Sequence, residues 1–324
     1  MTLDLILDVD TGIDDALALI YAAAHPDVAI RAVTCVAGNA GLDAVVRNTR
    51  GVLDLMGRSD VPVAAGAASP LLGDARPATW VHGRNGIADI DLAEFGVTPR
   101  DAAPIHAVEL LRQSIEQYPG ATVVVLGPMT NLALALRMYP HLAEQIHRVA
   151  VMGGGFTIGN ATATAEFNIW HDPEAAQICF ASGVPHLLYG LDVFYGARTS
   201  KATHEQLRAG GPVGELAARL LDALGAVYSG ETRVATGEYF SCLGDAGLLT
   251  SLVRPEVLST EVYPVNVSLH DPLTRGQTVV DRRYVHGRES FLPIQHRRPL
   301  VEVGVAIDGD ACVADFVSTV LSGS

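Results

Sequence analysis

Residues 3–19 read Leu3-Asp4-Leu5-Ile6-Leu7-Asp8-Val9-Asp10-Thr11-Gly12-Ile13-Asp14-Asp15-Ala16-Leu17-Ala18-Leu19. The apolar first half predicts a buried strand that turns at Thr11-Gly12. Residues 16–24 then have helix-forming composition, stopped by His25-Pro26. Alternate strand positions share a face, so Asp8 and Asp10 point the same way. Asp14 and Asp15 fall in the first helical turn, where free backbone N–H groups and the helix dipole favour negative charge. Four carboxylates at one junction repel each other unless some are protonated or a cation sits among them. A helix N-cap at Asp14 in a solvated acidic turn would explain one or two of them. With two on an apolar strand, a hard divalent metal is the more economical reading.

The rest of the chain supplies the frame for that junction. Its 324 residues can bury a large core, and 49% hydrophobic against 18% charged residues suits a folded domain. A net charge of −14 argues against a nucleic-acid backbone or an anionic membrane as partner. Lysine occurs once, at Lys201, which removes it as a catalytic group almost everywhere. Cys35, Cys179, Cys242 and Cys312 are widely spaced, excluding a zinc ribbon and offering no disulfide framework. That usage, with no basic segment before the first apolar run and no run of about 20 apolar residues, predicts a soluble cytoplasmic protein.

Apolar β-branched runs at 28–37, 121–126, 148–152 and 185–191 alternate with amphipathic helical patterns near 41–57, 104–117, 130–139 and 173–182. The alternation predicts an α/β fold: an open, mostly parallel, Rossmann-like sheet with helices on both faces. Short β-like runs at 262–269, 277–280 and 300–307 add further β elements near the C-terminus. No linker or repeat divides the chain, so residues 1–324 read as a single domain. Ligands of such sheets bind beyond the carboxyl ends of the strands. Here those ends are Asp10-Thr11-Gly12, Gly38-Asn39, Gly127-Pro128 and Gly153-Gly154-Gly155. Residues 66–100, rich in Gly, Pro and Ala around Trp80-Val81-His82, read as an active-site lid. Residues 222–245, with Tyr228 and Tyr239, also lack clear periodicity.

The Gly127-Pro128 turn exposes a strand-end carbonyl, at Leu126, that suits a hard cation or simply ends a strand. Asn160, Glu166 and Asn168 precede a helix started by Asp172-Pro173. Carboxamides beside a carboxylate offer the donors and acceptors that a polyhydroxylated ligand needs.

Together these segments resemble the nucleoside hydrolase family, inosine-uridine preferring type. The resemblance lies in Asp8-Val-Asp10-Thr-Gly-Ile-Asp14-Asp15, Gly127-Pro128-Met129-Thr130-Asn131, Asn160…Glu166-Phe167-Asn168 and the late segment 274–281. It implies a Ca²⁺-dependent hydrolase cleaving the N-glycosidic bond of ribonucleosides to ribose and free base, in a homodimer or homotetramer. Carried over, Asp10, Asp15, the Leu126 carbonyl and Asp245 would hold Ca²⁺, with Asp10 also the general base on a water. Asp14 and Asn168, with Asn39 nearby, would grip the 2′- and 3′-hydroxyls. Asn160 and Glu166 would hold the 5′-hydroxyl, with Met152 and Phe167 lining the sugar pocket.

One position departs from that pattern. The late aspartate follows Gly244, where much of the family has a histidine that protonates the leaving base. His270-Asp271 has the right residues but comes too late in the chain, and reads as a surface turn. His82 is then the leading proton donor. Cys242, Tyr228 and Tyr239, or stacking by Trp80 or Trp170, are the other options. Two further readings compete. One is a nucleoside- or sugar-binding protein that lost turnover at Gly244. The other is a phosphatase of the haloacid dehalogenase type, suggested by Asp8-Val9-Asp10-Thr11 but lacking the lysine and acid pair that chemistry needs.

Overall fold

The computed structural model describes residues 2–98, 102–230, 239, 241–283 and 299–323. In β1 (Leu3–Val9), Leu5, Leu7 and Val9 enter one apolar cluster, while Ile6 on the opposite face enters the other. A strand apolar on both faces belongs inside a sheet covered twice, and β1 is indeed an interior strand. It pairs in parallel with β2 (Val28–Cys35), which pairs with β3 (Val63–Ala65). On its other side come β4 (Thr122–Val125), β5 (Arg148–Met152) and β6 (His186–Tyr189), all parallel. A short antiparallel ribbon joins β7 (Arg198–Thr199) to β8 (Ser241–Cys242). The remaining strands are β9 (Leu258–Val267), β10 (Thr278–Val280) and β11 (Leu300–Ile307). β11 runs parallel to β6 and antiparallel to β9, and β10 closes the edge of a nine-stranded sheet ordered 10-9-11-6-5-4-1-2-3.

The predicted mostly parallel α/β architecture with extra C-terminal strands is therefore present. Chain order reverses beside β1: the chain moves outward through β2 and β3, then returns to β4 on the opposite side. That reversal leaves a crevice beyond the strand ends, where α/β sheets take ligands.

Sequence and structure differ most at 222–245. Residues 222–230 are the end of a 20-residue helix, Gly211–Gly230, rather than irregular chain; 231–238 and 240 lie outside the described residues. Leu216, Ala217, Leu220, Leu221 and Leu224 form a fully buried stripe at helical spacing, a signal masked by the glycines and tyrosines that follow. The 66–100 segment, described to residue 98, holds two short helical turns, Thr79–His82 and Leu92–Phe95. It is fastened at several points. The Ala67 N–H donates to Asn131 Oδ1, Leu71 N–H to Asp172 Oδ2 and Arg76 N–H to His171 Nε2. Asp172 also caps the helix Pro173–Phe180, as its sequence context predicts. His270-Asp271 is an exposed turn.

Candidate active site

The first carboxylates are arranged by the turn after β1. Asp15, three residues past Gly12, reaches back to accept from the Asp10 N–H at 3.1 Å and the Gly12 N–H at 2.9 Å. Two amide donors at the start of the helix Ile13–Ala24 are satisfied this way. Asp10 accepts from the Asn39 N–H at 2.7 Å and from Asn39 Nδ2 at 3.2 Å, and the same Nδ2 reaches Asp15 Oδ2 at 3.1 Å. Glycines make room for this packing. A Cβ on Gly38 would stand 2.0 Å from Asp10 Oδ2, and one on Gly127 2.8 Å from Asp10 Cγ. Asp8 shares the face of Asp10, but its Oδ1 is held by Thr34 Oγ1 and Asn131 Nδ2 beneath the site.

Asp245 comes from the far side of the chain, at the start of the helix Asp245–Val253. Asp14, Asp15 and Asp245 each place a carboxylate oxygen within 4.8 Å of the others, and all three are buried. Asp14 Oδ1 and Asp245 Oδ1 are buried without a hydrogen-bond partner. Burial is the first cause, and neighbouring carboxylates the second, that raise Asp10 and Asp245 well above the ordinary range. Burial also brings Asp14 and Asp15 to about 6. Crowded acids with orphaned oxygens are the donor set of a hard cation, which would offset both costs.

The groups that the resemblance sets at the sugar come from another junction. Glu166 caps the helix Phe167–His171, accepting from the Asn168, Ile169 and Gly154 N–H groups, and burial raises it to about 7. Asn168 Nδ2 donates to the Leu126 carbonyl at 2.7 Å and contacts Met152 through its carbonyl and sulfur. Asn160 Oδ1 accepts from the Phe167 N–H at 2.8 Å. On the 66–98 segment, His82 Nδ1 accepts from the Ile13 N–H at 3.1 Å, and burial lowers the imidazole to about 4.

A cavity of about 300 Å³ opens above these groups, at the small end of the range for ligand sites. Of the predicted site residues, Asp14, Asn39, His82, Leu126, Met152, Asn160, Glu166, Phe167, Asn168 and Asp245 line it. Asp10 and Asp15 lie just behind, with no exposed surface. The closest acidic triad includes Asp14, which the sequence reading set at the sugar, while Asp10 turns both oxygens to Asn39. Among the alternative proton donors, Tyr228 and Trp80 line the cavity, whereas Cys242, Tyr239 and Trp170 do not. Tyr239 instead reaches Asp222, and Trp170 lies under the Arg76 guanidinium. Phe194 and Tyr195, at the end of the short helix Leu191–Phe194 after β6, and Arg198, on β7, also line the cavity; no motif singled them out.

Residues 5–314 match the inosine-uridine preferring nucleoside hydrolase family, and the chain belongs to it. Among individual proteins, it is 39% identical over 291 residues to the pyrimidine-specific ribonucleoside hydrolase RihA of Citrobacter koseri, covering 89% of this chain and 91% of that one. In structure it is similar to the plant nucleoside hydrolase PpNRh1, with TM-score 0.90, 27% identity and coverage of 99% and 100%. The purine-preferring ribonucleoside hydrolase of Gardnerella vaginalis superposes with TM-score 0.86, 30% identity and coverage of 99% and 98%. Membership makes the protein an N-ribosyl hydrolase and sets the phosphatase reading aside.

Proposed function

We propose that the protein hydrolyses the N-glycosidic bond of ribonucleosides to ribose and free base, with Ca²⁺ held by Asp10, Asp15, Asp245 and the Leu126 carbonyl. The observation carrying this reading is the buried acidic cluster with unpaired Asp14 and Asp245 oxygens on the floor of a cavity lined by Asn39, Asn160, Glu166 and Asn168. Oxygen-only donors at flexible geometry suit Ca²⁺ better than a transition metal. A bound divalent cation supplies a lowered pKa for water, making a nucleophile available near neutral pH.

The protein groups do the rest. Asp14 and Asn168 hold the 2′- and 3′-hydroxyls, with Asn39 beside them. Glu166 and the Asn160 carboxamide hold the 5′-hydroxyl, over Met152 and Phe167. Asp10 takes the proton of the attacking water. Carboxylates under the ring stabilise the positive charge that develops at the anomeric carbon as the base departs. Attack from the acidic floor, opposite the base, inverts that carbon. His82, with Nδ1 occupied by Ile13, presents Nε2–H as its donor toward the base.

The test is ribose release from a panel of purine and pyrimidine ribonucleosides. Release abolished by a chelator and restored by calcium is expected. The binding-only reading draws on Gly244, which offers no side chain to the leaving base; tight nucleoside binding without ribose release would favour it.

A further inference from the structure

We propose that Arg198 stabilises the negative charge on the departing base, favouring bases with a carbonyl at their outer edge, uracil and hypoxanthine, over cytosine and adenine. This rests on reading the cavity as a ribonucleoside site. With the ribose above the acidic floor, the base meets a wall formed by Trp80, Tyr195, Tyr228 and Arg198. Arg198 is the one lysine or arginine among the described residues of that lining. Its backbone pairs with Cys242, Ala197 beside it accepts from the Leu243 N–H at 3.0 Å, and its Nε donates to the Tyr195 carbonyl at 2.9 Å. The Arg198 backbone is thus tied to the segment leading into Gly244, which offers no side-chain proton donor, and its guanidinium is steadied by the Tyr195 carbonyl. Successive strand residues point apart, so Thr199 buries its hydroxyl on His204 at 2.9 Å while Arg198 faces the cavity mouth.

A guanidinium only donates, and stays charged at any working pH. It therefore cannot pass a proton to the base. As the C–N bond breaks, its electron pair moves onto the base nitrogen and spreads to the ring carbonyl oxygens, which Arg198 binds. Water supplies the oxygen bonded to the anomeric carbon, its proton goes to Asp10, and the base, hydrogen-bonded by His82 Nε2–H as it leaves, takes a proton from solvent after departure. An exocyclic amino group at the same edge presents donor to donor and gains nothing.

The test compares kcat/KM of Arg198→Gln and Arg198→Ala with the unsubstituted enzyme on uridine, cytidine, inosine, adenosine and 4-nitrophenyl riboside, in saturating calcium. Uridine and inosine are expected to fall about 100-fold, with the other three changing less than about threefold. Arg198→Lys, which keeps the charge but not the planar fork, recovers part of the lost ratio. Equal loss on all substrates, or no loss, overturns the proposal. Absence of ribose release by the unsubstituted protein overturns the hydrolase reading along with it.

Discussion

Gly244 packs directly against Asp14: a Cβ built on it would stand 2.6 Å from the Asp14 Cβ. Its φ of +58° lies where side chains are strained in any case. The missing histidine is thus a property of the backbone path, not a vacancy that a side chain could fill. We expect Gly244→His to lower the melting temperature, costing about 1–3 kcal/mol. Turnover should drop on uridine and 4-nitrophenyl riboside alike, since Asp14 is displaced. A selective gain on uridine would show that the position can host a donor after all.

The acidic cluster should act as one unit. Asp10→Ala and Asp245→Asn are each expected to weaken calcium binding measured by calorimetry, and to reduce ribose release by about 100-fold or more. Loss of activity with calcium binding intact would remove the substituted residue from the ligand set.

Protons and calcium should compete for the same oxygens. Asp14 and Asp15 near 6, and Asp8 and Glu166 near 7, all lie above ordinary carboxylates. Between about pH 4 and 7 the folded state therefore holds protons that the unfolded chain has released, so stability falls as pH rises through that window. In chelator, the melting temperature is expected to be higher at pH 5 than at pH 8. Calcium should restore most of the difference at pH 8 and little at pH 5. A flat profile in chelator would mean the carboxylates are not crowded in solution.

Substitution of His82 can separate its contact with the Ile13 N–H from the donor role proposed for it. His82→Ala leaves the Ile13 N–H without its acceptor, a cost of about 1–3 kcal/mol in stability. If its Nε2–H also assists the leaving base, turnover on uridine falls by about 100-fold or more, and far less on 4-nitrophenyl riboside, whose leaving group needs no proton. Equal losses on both substrates would make His82 a positioning residue only.

Much was legible in order along the chain. The strand-turn-helix word at 3–19, the alternation that follows it, the Gly38 and Gly127 strand ends and the Asn160…Asn168 segment are local patterns, set by period, turn chemistry and capping. They located the crevice and most of its lining. The long helix Gly211–Gly230 escaped because its apolar stripe runs into tyrosines and glycines that read as loop.

What no local pattern held is which groups meet across the chain. Asp245 reaches Asp14 and Asp15 only because its helix packs against the helix Ile13–Ala24, and Arg198 enters the same cavity only through the pairing of β7 with β8. The sequence by itself determined the residue types and the strand-end positions from which the cation and sugar sites are proposed. Tertiary packing alone decided which carboxylate oxygens stay unpaired, which histidine nitrogen is occupied and where a side chain is barred, because burial and close approach are properties of neighbours distant in sequence.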